Sequence, residues 1–226
     1  MDYEPIYENN ERFTAFPDVD EAFASDFEKE NLLPLGVYKL TDNCEHDVLI
    51  AIPISCEEGF IGERDFDASY GEIWLSYSLQ AGKWKLDCRA EMLRNVEYRK
   101  NAVLTAFCER KKLYCSQGFT VNPHFKEGAE ELFGPPKLSL FEQAKDYASS
   151  GENWLSGVEK FIPRVLLERK SAAGFNLIIL LDQYGYEYKY LGQLTASIYA
   201  PQVGLPSVHF FYSPFSQRVL LFNEFE

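Results

Sequence analysis

The sequence predicts an α+β protein with a mainly antiparallel sheet and one long central helix. Apolar, strand-like segments are dense in the last third, and residues 89–115 contain neither Gly nor Pro. Helical and strand patterns also occur in blocks rather than in βαβ alternation, which favours α+β over a wound parallel sheet. We expect a single domain over residues 1–226; two lobes, 17–118 and 137–226, joined by a Gly- and Pro-bearing link, are an open alternative.

The first half predicts one helix followed by strands. Pro17 precedes a run of acidic residues, and both features are typical of the first turn of a helix. Residues 56–71 are acidic and carry three glycines, so we expect a loop there. Gly82 lies between two β-rich segments and predicts a hairpin turn. The strands predicted here are 35–40, 47–54, 72–79 and 83–88.

The longest predicted helix, 89–115, carries seven basic and three acidic residues, and Gly118 marks its end. A second helix is predicted over 137–150, with Leu140, Phe141 and other apolar residues on one face. The remaining segments predict strands separated by turn residues. These strands are 162–169, 175–181, 187–199, 207–212 and 218–222.

A short pattern occurs twice. Leu32-Leu33-Pro34 and Phe161-Ile162-Pro163 lie 129 residues apart, and each is followed by a buried, strand-like run at the same distance. This leaves open that the chain contains two similar halves.

The charge is unevenly distributed. The formal net charge is −13, and residues 1–68 hold 18 acidic and 4 basic residues. Such a surface attracts a basic protein and repels nucleic-acid phosphates, so we expect no nucleic-acid partner; solubility alone is the other interpretation. The acidic residues expected to contact the partner are Asp42, Glu45, Asp47, Glu57, Glu58, Glu63, Asp65 and Asp67.

Tyrosines recur at every second position from residue 184 to residue 190. If this segment is a strand, the rings share one face, either in the core or at an interface, where tyrosine is enriched. As anchors for the partner we assign Tyr184, Tyr186 and Tyr188.

The compartment follows from what the sequence lacks. No apolar run is long enough to span a membrane, and the acidic first residues do not resemble a secretory signal. The five cysteines are odd in number and irregularly spaced, which favours a reducing compartment. We therefore expect a cytoplasmic protein with no membrane partner.

No catalytic residue, metal ligand or cofactor is assigned. The sequence contains neither a G-x-S-x-G elbow nor a phosphate-binding glycine loop, and its Cys and His spacings do not match zinc sites. The first hypothesis is a non-enzymatic acidic binding protein, in its sharpest form an immunity protein that inhibits a basic toxin. Two strand-end pairs, Glu168 with Lys170 and Glu187 with Lys189 near Asp182, leave a metal-dependent hydrolase or nuclease-like enzyme as the alternative. A self-associating structural subunit is a third hypothesis.

Overall fold

The computed structural model describes most of the chain. The described residues are 3–41, 46–55, 59–62, 66–95, 97–122, 125–129, 135–147, 158, 160–170, 176–195 and 207–224. The helices are α1 (Val19–Ala22), α2 (Asp26–Asn31) and α3 (Glu97–Gln117). The strands are β1 (Glu4–Ile6), β2 (Phe13–Ala15), β3 (Leu32–Leu40), β4 (His46–Pro53), β5 (Trp74–Gln80), β6 (Lys83–Leu86), β7 (Thr120–Val121), β8 (Lys137–Leu138), β9 (Phe141–Gln143), β10 (Arg164–Lys170), β11 (Asn176–Leu180), β12 (Lys189–Thr195), β13 (Ser207–Ser213) and β14 (Arg218–Glu224).

The α+β prediction is confirmed, because antiparallel strands dominate and α3 is the one long helix in the described part of the chain. Seven of the described strands form the central sheet, in the order β1-β9-β12-β13-β14-β5-β6. All neighbouring strands in it are antiparallel. Strands β5 and β6 come from the first half of the chain and β9, β12, β13 and β14 from the second, so one sheet draws on both.

The central sheet is covered on both faces. Successive side chains of a strand point to opposite faces. Phe210 and Tyr212 belong to a core shared with β3, β4 and α3. Phe211 belongs to a second core, which includes Tyr147 and Ile178 of β11. The sheet therefore lies between two apolar layers.

The repeated sequence pattern opens an antiparallel hairpin in both places. Pro34 lies in β3, which pairs with β4, and Pro163 directly precedes β10, which pairs with β11. The two hairpins contribute to different cores, one on each face of the central sheet.

Strand β4 uses a side chain where a further strand would pair. The Tyr77 hydroxyl donates to the carbonyl of Leu49 (2.6 Å) and accepts from the amide of Ala51 (3.2 Å). Tyr77, Leu49 and Ala51 are all fully buried. Burial also raises the pKa of Tyr77, so the hydroxyl keeps its proton.

The helix predicted over 137–150 is wrong. The described part of this segment contains β8 and β9, and Phe141 of β9 pairs with Ile6. Strand β9 also pairs with β12 at Gly192, which has φ +138°. A Cβ at Gly192 would lie 2.1 Å from the carbonyl oxygen of Glu142. Close backbone pairing at a glycine therefore overrides the local helical pattern.

The long helix begins at Glu97 rather than at the predicted Arg89. The amide of Glu97 donates to Oδ1 of Asn95 (3.0 Å), which is the bond expected where a helix begins. The preceding segment pairs with a loop instead, since the backbone amide of Arg94 donates to the carbonyl of Phe60. Gly118 ends the helix as predicted, with φ +80°.

The thiol groups of α3 and of the core are expected to react differently. Cys108 and Cys115 are exposed, whereas Cys88 is buried and its burial raises the pKa of its thiol to about 12. We expect iodoacetamide at pH 8 to label Cys108 and Cys115 but not Cys88, as measured by peptide mass mapping, because the thiolate is the nucleophile.

The same shift gives a pH dependence. A cysteine in the unfolded chain ionises near pH 9, so between that pH and about pH 12 the unfolded state loses its proton first. The free energy of unfolding should therefore fall as pH rises through this window.

For the iodoacetamide experiment, labelling in 6 M urea (about the concentration that unfolds small domains) is the control. Labelling of native Cys88 at the rate of Cys108 would contradict the assignment.

Candidate functional site

One end of the central sheet gathers three connections, and we call it the turn end. Lys189 pairs with Tyr212, Ser213 pairs with Arg218, and Arg218 pairs with Ser78. The segment before β12, the turn between β13 and β14, and the hairpin turn between β5 and β6 therefore lie side by side. In that hairpin Ala81 and Gly82 both have positive φ, which is typical of a tight turn between strands.

Three exposed aromatic side chains form a patch on two of these turns. Tyr184 is 63% exposed, Tyr186 47% and Phe215 58%. The rings of Tyr186 and Phe215 stack with their centroids 3.8 Å apart, and Tyr184 meets Phe215 edge-on at 5.7 Å. We call Tyr184, Tyr186 and Phe215 the aromatic patch. Large rings that contact one another at the surface form the kind of patch that marks an interaction site.

Buried Asp182 joins the two turns beneath the aromatic patch. Its Oδ1 accepts from the amides of Tyr184 (2.9 Å) and Tyr186 (3.0 Å), and its Oδ2 accepts from the hydroxyl of Ser213 (2.9 Å). The Ser213 hydroxyl oxygen in turn accepts from the amide of Ser216. One carboxylate therefore fixes the backbone on both sides of the patch.

A further polar cluster lies next to this carboxylate, on the same face of the sheet. Arg218 Nε lies 3.0 Å from Asp87 Oδ2, and Asp87 also accepts from the hydroxyls of Ser76 (2.6 Å) and Ser78 (2.7 Å). Tyr188 is 4% exposed, and burial raises its pKa although the nearby Arg218 cation opposes that shift. The turn end therefore has a fixed, internally hydrogen-bonded base.

Exposed carboxylates lie beside the β5–β6 hairpin, next to β6. Lys83, the first residue of β6, donates through Nζ to the carbonyl of Asp20 (2.7 Å), and the backbone amide of Ala24 donates to the carbonyl of Trp84. These bonds hold α1 and α2 against the turn end. We call the exposed acidic residues of this segment the acidic segment. They are Asp18, Asp20, Glu21, Asp26 and Glu30.

Lysines pair with three of the five residues of the acidic segment. Lys29 lies 2.6 Å from Asp20 and 3.2 Å from Asp26, and lowers the pKa of Asp20 through its hydrogen bond and charge. Among the described residues, Lys100 is the base of α3 that pairs with this segment, 3.7 Å from Glu30. The basic helix α3 therefore contacts the acidic segment at Glu30.

Two of the predicted acidic residues are described. Asp47 is exposed at the start of β4, and the preceding His46 contacts Tyr212 of the turn end, with 3.2 Å between Nδ1 and the hydroxyl. Asp67 is also exposed, but its Oδ1 accepts from the amides of Ser69 and Tyr70 and so shapes a turn. The other predicted residues lie outside the described part of the chain. They are Asp42, Glu45, Glu57, Glu58, Glu63 and Asp65.

The tyrosine row divides at the point where the strand begins. Tyr184 and Tyr186 lie in the turn and are exposed, whereas Tyr188 and Tyr190 are buried. Sequence reasoning missed Phe215, Asp182 and the acidic segment as contributors to this surface. The turn residues between the predicted strands 207–212 and 218–222 were a usable signal, because Phe215 lies among them and connecting segments run over the surface.

A second hydrogen-bonded cluster of side chains lies on the face of the central sheet that carries the second core. The hydroxyl of Tyr3 lies 3.2 Å from that of Tyr190, which lies 2.8 Å from Nδ1 of His209, and His209 Nε2 lies 2.8 Å from the carboxylate of Glu224. His209 is 2% exposed and Tyr147 packs edge-on against its ring. Burial raises the pKa of Tyr190. These contacts connect Tyr3, just before β1, with β12, β13 and β14.

Two of the three carboxylates on which the enzyme alternative depends are described, Asp182 and Glu187. The Asp182 carboxylate is already bound by two turns, and Glu187 is exposed. The side chain of Glu168 is not among those described. In the described residues no group of three His, Cys, Asp or Glu side chains is placed to hold a metal ion.

An open groove lies between the first residues of the chain and α3. It has a volume of about 470 Å³, and its lining includes Glu8, Phe16 and Cys115. Phe16 has φ +53°, and its ring packs against Tyr114 at 5.3 Å. The hydroxyl of Tyr114 donates to Oδ1 of Asn9, so the wall of the groove is fixed.

Comparison with known proteins adds no relative: no protein-family model, curated protein or solved structure matches this chain. Among the described helices, none has the length and apolar character needed to cross a membrane.

Proposed function

We propose that the protein is a non-enzymatic acidic binding protein that captures a basic protein. Its sharpest form is a cytoplasmic immunity protein that neutralises a basic toxin. The observation that carries this proposal is the turn end, where a rigid aromatic patch lies beside exposed carboxylates.

The two parts of this surface are close enough to meet one partner. Strands β14 and β6 are separated only by β5, so the β13–β14 turn, which carries Phe215, and the hairpin against which the acidic segment packs are about 10 Å apart across the sheet. A standard interface covers about 800 Å² on each partner and easily spans this distance.

Each part has a separate physical role. Exposed carboxylates attract a basic partner over roughly 10 Å at 0.1 M salt and so raise the association rate. Tyr and Phe side chains held in place offer large contact area with little entropy loss, and so slow dissociation. The metal-dependent hydrolase gains no supporting observation from the described residues.

The test is capture from a lysate of the native cell on immobilised protein, followed by association kinetics with what is captured. We expect the wild type to retain a basic protein with an association rate that falls about tenfold between low and high salt. The double variant Glu21→Lys and Asp26→Lys should slow association several-fold. Phe215→Ser should instead raise the dissociation rate about tenfold or more.

Glu109→Lys with Glu127→Lys makes the same change in net charge at exposed positions outside the turn end, and is the control. Equal loss in both charge variants would reduce the effect to net charge. Retention of only acidic proteins, or an association rate independent of salt, would overturn the proposal.

A further inference from the structure

We propose that the aromatic patch binds an arginine side chain of the basic partner, with the guanidinium stacked on the Tyr186–Phe215 pair. This inference rests on the proposed function and names the chemistry of its central contact. It is carried by the geometry of the three rings, by the fixed backbone beneath them and by the charge around them.

The ring geometry leaves about half of each stacked ring exposed. Tyr186 and Phe215 are nearly parallel, with 24° between their planes, and both are about half exposed. Tyr184 stands at 69° to Phe215 and forms a wall at the side. The face of an aromatic ring carries negative charge density, so a cation placed over it is attracted.

The patch is held ready for binding. The amides of Tyr184 and Tyr186 are bonded to Oδ1 of Asp182, and Ser213 links the same carboxylate to the turn that carries Phe215. Because the backbone is already fixed, binding costs little conformational entropy at these three residues.

The surroundings favour a cation over an apolar ligand. Glu187 follows Tyr186 and is exposed, and the adjoining residues Gln183 and Gln217 are polar and exposed. The acidic segment packs against β6, which lies two strands from β14 at the same end of the sheet. A second copy of this chain, at a net charge of −13, would be repelled from the same surface.

Arginine suits this surface better than lysine. The guanidinium is planar and weakly hydrated, so it stacks on a ring face while its N–H groups reach a neighbouring carboxylate such as Glu187. The lysine ammonium is a compact, strongly hydrated ion that gains less from a flat face.

Two synthetic peptides, octa-arginine and octa-lysine, test the proposal at equal charge and length. We expect the wild type to bind octa-arginine about fivefold more tightly than octa-lysine, as measured by calorimetry at low salt. Tyr186→Ser and Phe215→Ser should bring this ratio close to one while leaving octa-lysine binding unchanged. Tyr98→Ser is the control, because Tyr98 is 74% exposed on α3, and it should keep the wild-type ratio.

The outcomes separate this inference from the proposed function. Equal affinity for both peptides, weakened by Glu21→Lys with Asp26→Lys, would overturn the arginine site and leave an acidic binding surface. A preference for arginine, with affinities for both peptides that these charge changes leave unchanged, would support the site and count against the charge-steered function. Failure of both peptides to bind at low salt, or a preference that survives Phe215→Ser, would overturn the inference.

Discussion

Gly192→Ala is expected to destabilise the protein by about 4 kcal/mol, among the largest effects of a single substitution. The added Cβ would lie 2.1 Å from the Glu142 carbonyl oxygen and 2.8 Å from Cα of Gln143, so backbone and not a flexible side chain stands in its way. In addition φ at this position is +138°, which alanine adopts only under strain. Strand β9 would have to leave β12, and β1, which pairs only with β9 in the described sheet, would lose its attachment.

Urea denaturation followed by circular dichroism measures this loss. Gly82→Ala is the matched control, because Gly82 also has positive φ but has open space around it, so that only backbone strain of about 1 kcal/mol is added. A loss at Gly192 no greater than that at Gly82 would show that β9 does not pack as described.

Tyr77→Phe is expected to cost about 2–4 kcal/mol although it removes a single oxygen atom. The hydroxyl bonds both the carbonyl of Leu49 and the amide of Ala51, and nothing else in the described contacts replaces it at that edge of β4. Two buried backbone groups would be left without a partner, and each costs about 1–3 kcal/mol.

The same denaturation experiment tests this substitution. Tyr184→Phe removes a hydroxyl from an exposed ring, and we expect a change within about 0.5 kcal/mol. If the two substitutions cost the same, the Tyr77 hydroxyl would not be the group that completes the edge of β4. Hydrogen exchange at Ala51 gives an independent reading, because its amide should lose protection in Tyr77→Phe while distant strands keep theirs.

The strands were predictable because their signals are local. Apolar runs bounded by turn residues located β3, β4, β5, β13 and β14 to within a few residues. The helix predicted over 137–150 was wrong because its apolar spacing competes with pairing to Ile6 and Gly192, residues far away in the sequence. No window around Phe141 contains that information.

The candidate site was only partly predictable for the same reason. Tyr184 and Tyr186 stood out by their spacing, but Asp182 removes them from the strand by bonding their amides, so they do not share a face with Tyr188. Phe215 joins them only because the β13–β14 turn lies beside theirs. The acidic segment became part of the surface through the contacts of Lys83 and Trp84, which charge counting along the sequence does not reveal.

The position of β14 also constrains how the protein is made. This strand lies within the central sheet between β13 and β5, where its first residue, Arg218, pairs with Ser78 of β5. During synthesis the side of β5 that faces β14 therefore stays unpaired until the last described strand has left the ribosome. Such long-range closure makes folding slow. The nascent chain meanwhile exposes an apolar strand edge, so chaperone protection matters most in that interval.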